Sequence, residues 1–320
     1  MKEFIRKISI YLIIAIGIHV LLGFFADGST DDFYQRFTSK TQSSLIVGSS
    51  RAAQGIQPEV INKILSDREF YNFSFTLNNS SYGEIYNNAI LKKIDKKTRN
   101  GSFILSVEPW GFIVNKTSKL LSDNIDSISI LSKMHYLSLY PNYEYLYRFI
   151  KRGWGNILIK RFENKILNSQ KANLSSISGS WALLHNDGWL EVNTTIDQVN
   201  FAKKLKSAQN LYQNTFDNSK ISKLRILAFE NLIEELKKYG KVYIVRLPAH
   251  PELLKLDNKM MPNFNADMLV ISKNHKVGFL DMTVNANKYI YTDGIHMFKT
   301  SGASVSREIA LRIIELEKHN

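Results

Sequence analysis

The sequence predicts an α/β protein: a doubly wound, mostly parallel five-stranded sheet with a largely helical insertion and an N-terminal transmembrane helix. Three observations predict it. Short apolar runs alternate with segments of helical periodicity, the pattern of right-handed βαβ units. Polar, reactive residues follow those runs, at the strand ends where such sheets collect function. An uncharged apolar stretch of eighteen residues, Ile8 to Phe25, stands near the start of the chain.

That stretch nearly crosses a hydrocarbon core of ~30 Å as a helix. Lys2, Arg6 and Lys7 precede it, and Asp27, Asp31 and Asp32 follow. The positive-inside rule then keeps residues 1–7 in the cytoplasm, makes 8–26 the anchor and sends the rest across the membrane. A cleaved signal peptide is the rival reading. Phe24-Phe25-Ala26-Asp27 is a poor cleavage site for one, so a single-pass inner or cytoplasmic membrane protein is expected.

After a stalk over 27–41, Ser44-Leu45-Ile46-Val47 reads as a buried parallel strand entering a Gly-Ser-Ser turn. Pro58 opens a helix to Leu65, because proline suits the first helical turn. A second strand is expected from Phe70 to Phe75, then a helix from Tyr82 to Lys96. The third strand is Phe103 to Val107, closed by Pro109. Ile226, Phe229, Ile233 and Leu236 recur at helical spacing and place a helix over Ile221 to Tyr239, which Gly240 ends. Val242 to Val245 and Val277 to Leu280 are the last two strands, and a helix over Ser304 to Glu317 follows.

Residues 42–110 and 220–320 thus form the core, and 111–219 an inserted, largely helical cap. The insertion is rich in aromatics, including Tyr136, Tyr140, Tyr143, Tyr145, Tyr147 and Trp154, and has a turn-like stretch, His185-Asn186-Asp187-Gly188-Trp189. Packing accounts for aromatics of this kind more often than a ligand cage does.

Composition bounds the chemistry. At 320 residues with 44% hydrophobic and 22% charged, the chain can bury a sizeable core. Lysine and arginine outnumber aspartate and glutamate by 42 to 29, a net charge of +13 that favours anionic partners. No nucleic-acid-binding signature accompanies it, which leaves anionic lipid or an acidic envelope polymer. Lys116, Lys119, Lys133, Arg148, Lys151, Arg152, Lys160 and Arg161 in the insertion are expected to hold such a polymer. There is no cysteine, which removes disulfides, thiol nucleophiles and Cys-ligated metals. No metal-ligand spacing, Walker motif or G-x-G-x-x-G occurs, so neither metal nor cofactor is expected.

A serine needs a base to take its proton and a carboxylate to orient that base. Ser50 follows a strand and a glycine, on a tight turn where its own N–H is placed to help stabilise an oxyanion. Asp293 and His296, in Tyr-Thr-Asp-Gly-Ile-His, are spaced so that the carboxylate reaches one ring nitrogen while the other faces the serine. Gly-Ser-Ser alone is weak and D-G-x-H alone moderate, but both stand at predicted strand ends.

Leu45-Ile46-Val47-Gly48-Ser49-Ser50 with Asp293-Gly294-Ile295-His296 resembles the first and fifth blocks of the SGNH/GDSL hydrolase superfamily, a flavodoxin-like fold. Ser49 stands where many members have aspartate. With a membrane anchor, the pattern is similar to the extracytoplasmic acyl-transfer partners of membrane-bound O-acyltransferases. These include teichoic acid D-alanyl transfer and alginate O-acetylation proteins. The resemblance implies that an acyl group moves through a serine ester onto a cell-envelope polysaccharide, with a polytopic O-acyltransferase as partner. Hydrolytic removal of such groups, or a non-catalytic scaffold on the same fold, are the alternatives. The family's G-x-N-D block is absent: the third strand ends in Val107-Glu108-Pro109-Trp110. The glycine of block two gives way to Asn78-Asn79, whose backbone N–H is the expected second oxyanion donor.

Trp110, Arg51, Arg246 and His250 complete the candidate substrate contacts; the two arginines either hold an anionic group bidentately or pair with an Asp or Glu of the chain. Glu108-Pro109 resembles the acid of some glycosidases but has no partner carboxylate in the sequence. Asp281 reads as a turn former.

Overall fold

Strands that are apolar on both faces are stable only between two layers of helices. The chain builds that arrangement in the computed structural model, which describes residues 1–26, 33–117, 129–149 and 181–318. In chain order the described strands are β1 (Ser44–Val47), β2 (Phe70–Asn72), β3 (Gly101–Val107), β4 (Ile113–Asn115), β5 (Trp181–Leu184), β6 (Leu190–Asn193), β7 (Ser219–Ile221), β8 (Gly240–Arg246) and β9 (Gly278–Asp281). Contacts divide the chain into two compact units, Met1–Lys40 with Met134–Ser178, and Thr41–Lys133 with Gly179–Asn320.

The second unit holds the five-stranded sheet, ordered β2-β1-β3-β8-β9 and parallel throughout. Ile46 lies opposite Ile104, and Ile104 opposite Tyr243. Alternate residues point to opposite faces. Ile46, Ile104, Tyr243 and Val245 therefore join Ala52, Ile56, Ile61, Val305, Ile309 and Ile313 in one core. Helices Ser50–Gly55, Pro58–Asn62 and Lys299–Lys318 supply that layer. Helices Glu84–Lys93, Lys223–Lys237 and Phe264–His275 pack together against the other face. Strand order reverses between β1 and β3, the switch point where doubly wound sheets open a crevice at their carboxyl ends.

Boundaries differ from expectation in instructive ways. β2 is assigned only to Asn72, yet Phe73 N–H donates to Ile46 O at 2.7 Å and Phe75 N–H to Gly48 O at 3.0 Å, so pairing runs on to Phe75. The last helix begins at Lys299 rather than Ser304 and includes Gly302, where a Cβ would sit 2.9 Å from Gly55 O. Among the described residues of stretch 111–219, β4 pairs antiparallel with β7, and β5 with β6 around the turn at 185–189. Helix Gln198–Asp217 is its longest described element.

The first unit contains helix Lys2–Gly23, long and apolar enough to cross a membrane. Its apolar side chains stand exposed, Ile13 at 67% and Leu21 at 63%. Tyr34, Phe37 and Tyr145 pack as a ring cluster beneath Asn142, whose Nδ2 donates to Phe37 O and Tyr136 O. Tyr143 donates to Val20 O at 2.5 Å and Tyr140 to Phe24 O at 3.2 Å. These aromatics pack within the same unit as that helix. Trp154, Lys119, Lys151, Arg152, Lys160 and Arg161 lie outside the described residues, as do Asp27, Asp31 and Asp32.

Candidate active site

All the candidate site residues belong to the second unit. β1 ends at Val47, and the chain turns at Gly48, where a Cβ would sit 2.6 Å from that of Ser106. Only glycine lets the turn come this close to β3. Ser49 then caps helix Ser50–Gly55, its Oγ accepting from Arg51 N–H at 3.1 Å. Ser50 is the first helical residue, so its N–H has no acceptor within the helix. Six residues do not make a helix stable on their own. Tertiary bonds hold it: Asn72 Nδ2 donates to Ala52 O and Ile56 O, both at 2.9 Å, and Trp189 Nε1 donates to Gln54 O at 2.8 Å.

The second half of the site is the loop between β9 and the last helix. Gly294 takes φ +90°, a left-handed conformation that favours glycine. The turn lets Asp293 Oδ1 accept from the N–H groups of Ile295 and His296, both at 2.9 Å. Asp293 Oδ2 lies 2.8 Å from His296 Nδ1, and His296 Nε2 lies 2.8 Å from Ser50 Oγ. The chain serine, imidazole, carboxylate is continuous. Burial alone would raise the Asp293 carboxyl, but the hydrogen bond and charge of His296 and the two N–H groups hold it below its usual range. His296 and Asp293 side chains keep 15% and 31% of their exposure, so a reactant can reach them. They line a 470 Å³ groove with Gln54, Val192, Thr194, Lys204, Ser207 and Leu211.

Behind Ser50 the side chain of Arg51 turns inward and is buried. Its Nη1 bonds Asp257 Oδ2 at 3.0 Å and its Nη2 bonds the Tyr212 hydroxyl at 2.7 Å. Nε approaches Glu108 Oε2 to 2.7 Å, an ion pair without hydrogen-bond alignment. Burial opposes the charge on Arg51, yet Asp257, Tyr212 and Glu108 together raise its pKa well above the ordinary value. Burial likewise pushes the Asp257 carboxyl up, against the pull of Arg51. Arg51 is therefore committed to internal partners rather than to an outside anion. Glu108 is the Arg51 partner rather than an open acid.

Arg246 is corrected in the same way. It is buried, with Nη1 bonded to Asn265 Oδ1 at 2.6 Å, Nη2 to Asn258 Oδ1 at 2.9 Å, and its guanidinium 5.0 Å from the Phe264 ring centre. Asn79 is corrected too. Its N–H, the expected donor, is bonded to Thr76 O, and its Oδ1 accepts from Ser129 Oγ and Ile130 N–H. Asn78 stays exposed at the surface of the same short helix, Leu77–Ser80. His250 caps helix Pro251–Met260 by accepting from Glu252 N–H at 3.3 Å, and its own N–H donates to Gly294 O at 2.9 Å. Burial lowers its pKa. It braces the Asp293 turn. Trp110 packs edge-on to Tyr212 at 4.8 Å and lines a separate hollow. Asp281 does form a turn, accepting from Thr283 N–H and Oγ1.

Sequence reasoning missed three residues that shape the site. Tyr86 accepts from Gly48 N–H at 2.9 Å, and its hydroxyl lies 3.1 Å from Phe73 O, clasping the Ser50 turn. Asp257 and Tyr212 hold Arg51 from distant parts of the chain. Tyr212 was open to detection, since Ala208, Tyr212 and Phe216 recur at i+4; Asp257 carries no local signal. Among the described residues no group of three His, Asp or Glu is placed to hold a metal. No protein-family model and no curated protein matches this sequence.

Proposed function

We propose that the chain is a membrane-anchored serine acyl-transfer enzyme that passes an acyl group through Ser50 to a hydroxyl of a cell-envelope glycan. The observation that carries this reading is the unbroken chain Ser50 Oγ, His296, Asp293 beside an open groove. Ser50 Oγ attacks the acyl carbonyl as His296 Nε2 takes its proton, with Ser50 N–H at the helix start facing the oxyanion. Collapse of the tetrahedral intermediate breaks the bond to the leaving oxygen, which receives the proton from His296. The acyl-serine then meets an acceptor hydroxyl, deprotonated by His296, and the acyl moves on while Ser50 regains its hydrogen. Asp293 holds the imidazole and stabilises its charged form.

The positive-inside reading of helix Lys2–Gly23 puts this domain outside the cytoplasm, next to envelope polymer. A polytopic O-acyltransferase is the partner that supplies the acyl group. Water entering the same groove would make the enzyme an esterase, because only the acceptor differs.

Kinetics with p-nitrophenyl acetate test the proposal, using the full chain in detergent. Ser50→Ala should lower the rate by on the order of 10⁴ or more. Ser49→Ala removes only a cap and should cost about 1 kcal/mol of stability. Loss of activity in the Ser49 variant alone would reject Ser50 as nucleophile.

A further inference from the structure

Helix Gln198–Asp217 is seated by Ala208, Tyr212 and Phe216 against Ile113, Ala249 and Leu253. Beside that buried stripe runs a second, made of Lys204, Ser207, Leu211, Asn214, Thr215 and the C-cap Asn218. At 3.6 residues per turn these six fall within about 120° of one another. Lys204, Ser207 and Leu211 line the groove that contains His296. Asn214, Thr215 and Asn218 line a second hollow of 300 Å³, whose other walls include Trp110, Ser81 and Asn115. One helix face thus joins both hollows, over about 21 Å from Lys204 to Asn218 at 1.5 Å per residue.

The second hollow has a distinct chemistry. An indole and the aliphatic side chains of Ile113 and Val114 stand beside carboxamides and hydroxyls, and no charged side chain is among its described lining residues. A fatty chain would leave the carboxamides without partners, and a phosphate would call for cations. A sugar ring fits both features. Its C–H face packs on an aromatic ring. Asn115 Oδ1 already accepts from Thr117, and Asn218 Nδ2 donates to Asn214, so the sugar's hydroxyls, each donor and acceptor, pair with Asn115 Nδ2, Asn214 Nδ2 and Asn218 Oδ1. We infer that the Trp110 hollow is a remote sugar subsite, and that the helix face from Lys204 to Asn218 is the track of an extended polyhydroxylated chain. One unit lies at Ser50 and another at Trp110. This inference rests on Ser50 as the acyl-transfer nucleophile. Trp110 reaches that centre through Tyr212, whose hydroxyl bonds Arg51, the neighbour of Ser50.

Remote binding energy of this kind raises kcat/KM as a substrate lengthens. The probes are O-acetylated oligosaccharides of glucose, mannose and N-acetylglucosamine, from two to six units, deacetylated by the full chain in detergent. For at least one series kcat/KM should rise about tenfold from dimer to hexamer. Trp110→Ala should bring the hexamer-to-dimer ratio close to one. Because Trp110 packs on Tyr212 and Phe216, Thr215→Trp is the second variant: it fills the hollow from the helix surface and should flatten the ratio too. A length dependence that survives both variants overturns the subsite. No length dependence in any series, with p-nitrophenyl acetate hydrolysis still requiring Ser50, overturns the subsite alone. Hydrolysis that does not require Ser50 overturns the inference together with the reading beneath it.

Discussion

Arg51 Nη1 lies 3.0 Å from Asp257 Oδ2, so the residue after Ser50 is tied to one 206 positions further along the chain. The bond matters because the helix it enters is six residues long and cannot aim Ser50 unaided. Glu108 at the end of β3 and Tyr212 on helix Gln198–Asp217 meet the same guanidinium. One side chain thus links four elements at the carboxyl edge of the sheet.

Arg51→Met should therefore destabilise the fold by about 3–5 kcal/mol, since it leaves Glu108 and Asp257 buried without their cation. Arg51→Lys should restore part of that loss. Burial already raises the Asp257 carboxyl, and the methionine variant removes the opposing pull of Arg51. Asp257 then favours the fold below its unfolded pKa, and that contribution is lost as pH rises through the folded value. Chemical unfolding at several pH values should show the deficit shrinking toward acid. A deficit that is constant with pH would mean that the carboxyls are not the cause.

Tyr86→Phe deletes one oxygen and no ring contact. Gly48 N–H is then buried without an acceptor, at a cost of about 1–3 kcal/mol. The Ser50 turn loosens with it, so kcat should fall more than KM rises. Unfolding and steady-state kinetics on one preparation check both, and a purely thermal effect with unchanged kcat would count against the clasp.

Asp293→Asn keeps an acceptor for the N–H groups of Ile295 and His296 but presents an amide N–H to His296 Nδ1. The imidazole is then held in the wrong tautomer, and the rate should fall by on the order of 10⁴. The wild-type carboxyl is depressed, so its contribution to stability is present above the unfolded pKa and lost as pH falls through the folded one. The stability difference between wild type and variant should be level near neutrality and close in acid.

The parts of the site written locally were legible. Gly48-Ser49-Ser50 follows an apolar run, and Asp293-Gly294-Ile295-His296 has the spacing a carboxylate needs to reach its own imidazole; both belong to single turns. The parallel five-stranded sheet followed from the alternation of apolar runs with helices. Arg51 and Arg246 read equally as anion clamps or as internal ion-pair partners, because charge is visible in a sequence while the groups that meet it, Asp257 or Asn258 and Asn265, are not. Asn79 read as an oxyanion donor because the residue types alone do not show that its N–H closes a turn onto Thr76 O. The β5–β6 hairpin was visible only as its turn, since Leu190-Glu191-Val192-Asn193 is too short to declare a strand.

The most direct test of Ser50 as an activated nucleophile is covalent. The full chain, in detergent, is treated with a fluorophosphonate, and the modified residue is located by peptide mass spectrometry. The account predicts phosphonylation at Ser50, slowed strongly in His296→Ala and absent in Ser50→Ala while Ser49→Ala still labels. Labelling of Ser49 in place of Ser50, or no serine labelled at all in the folded wild type, would contradict it.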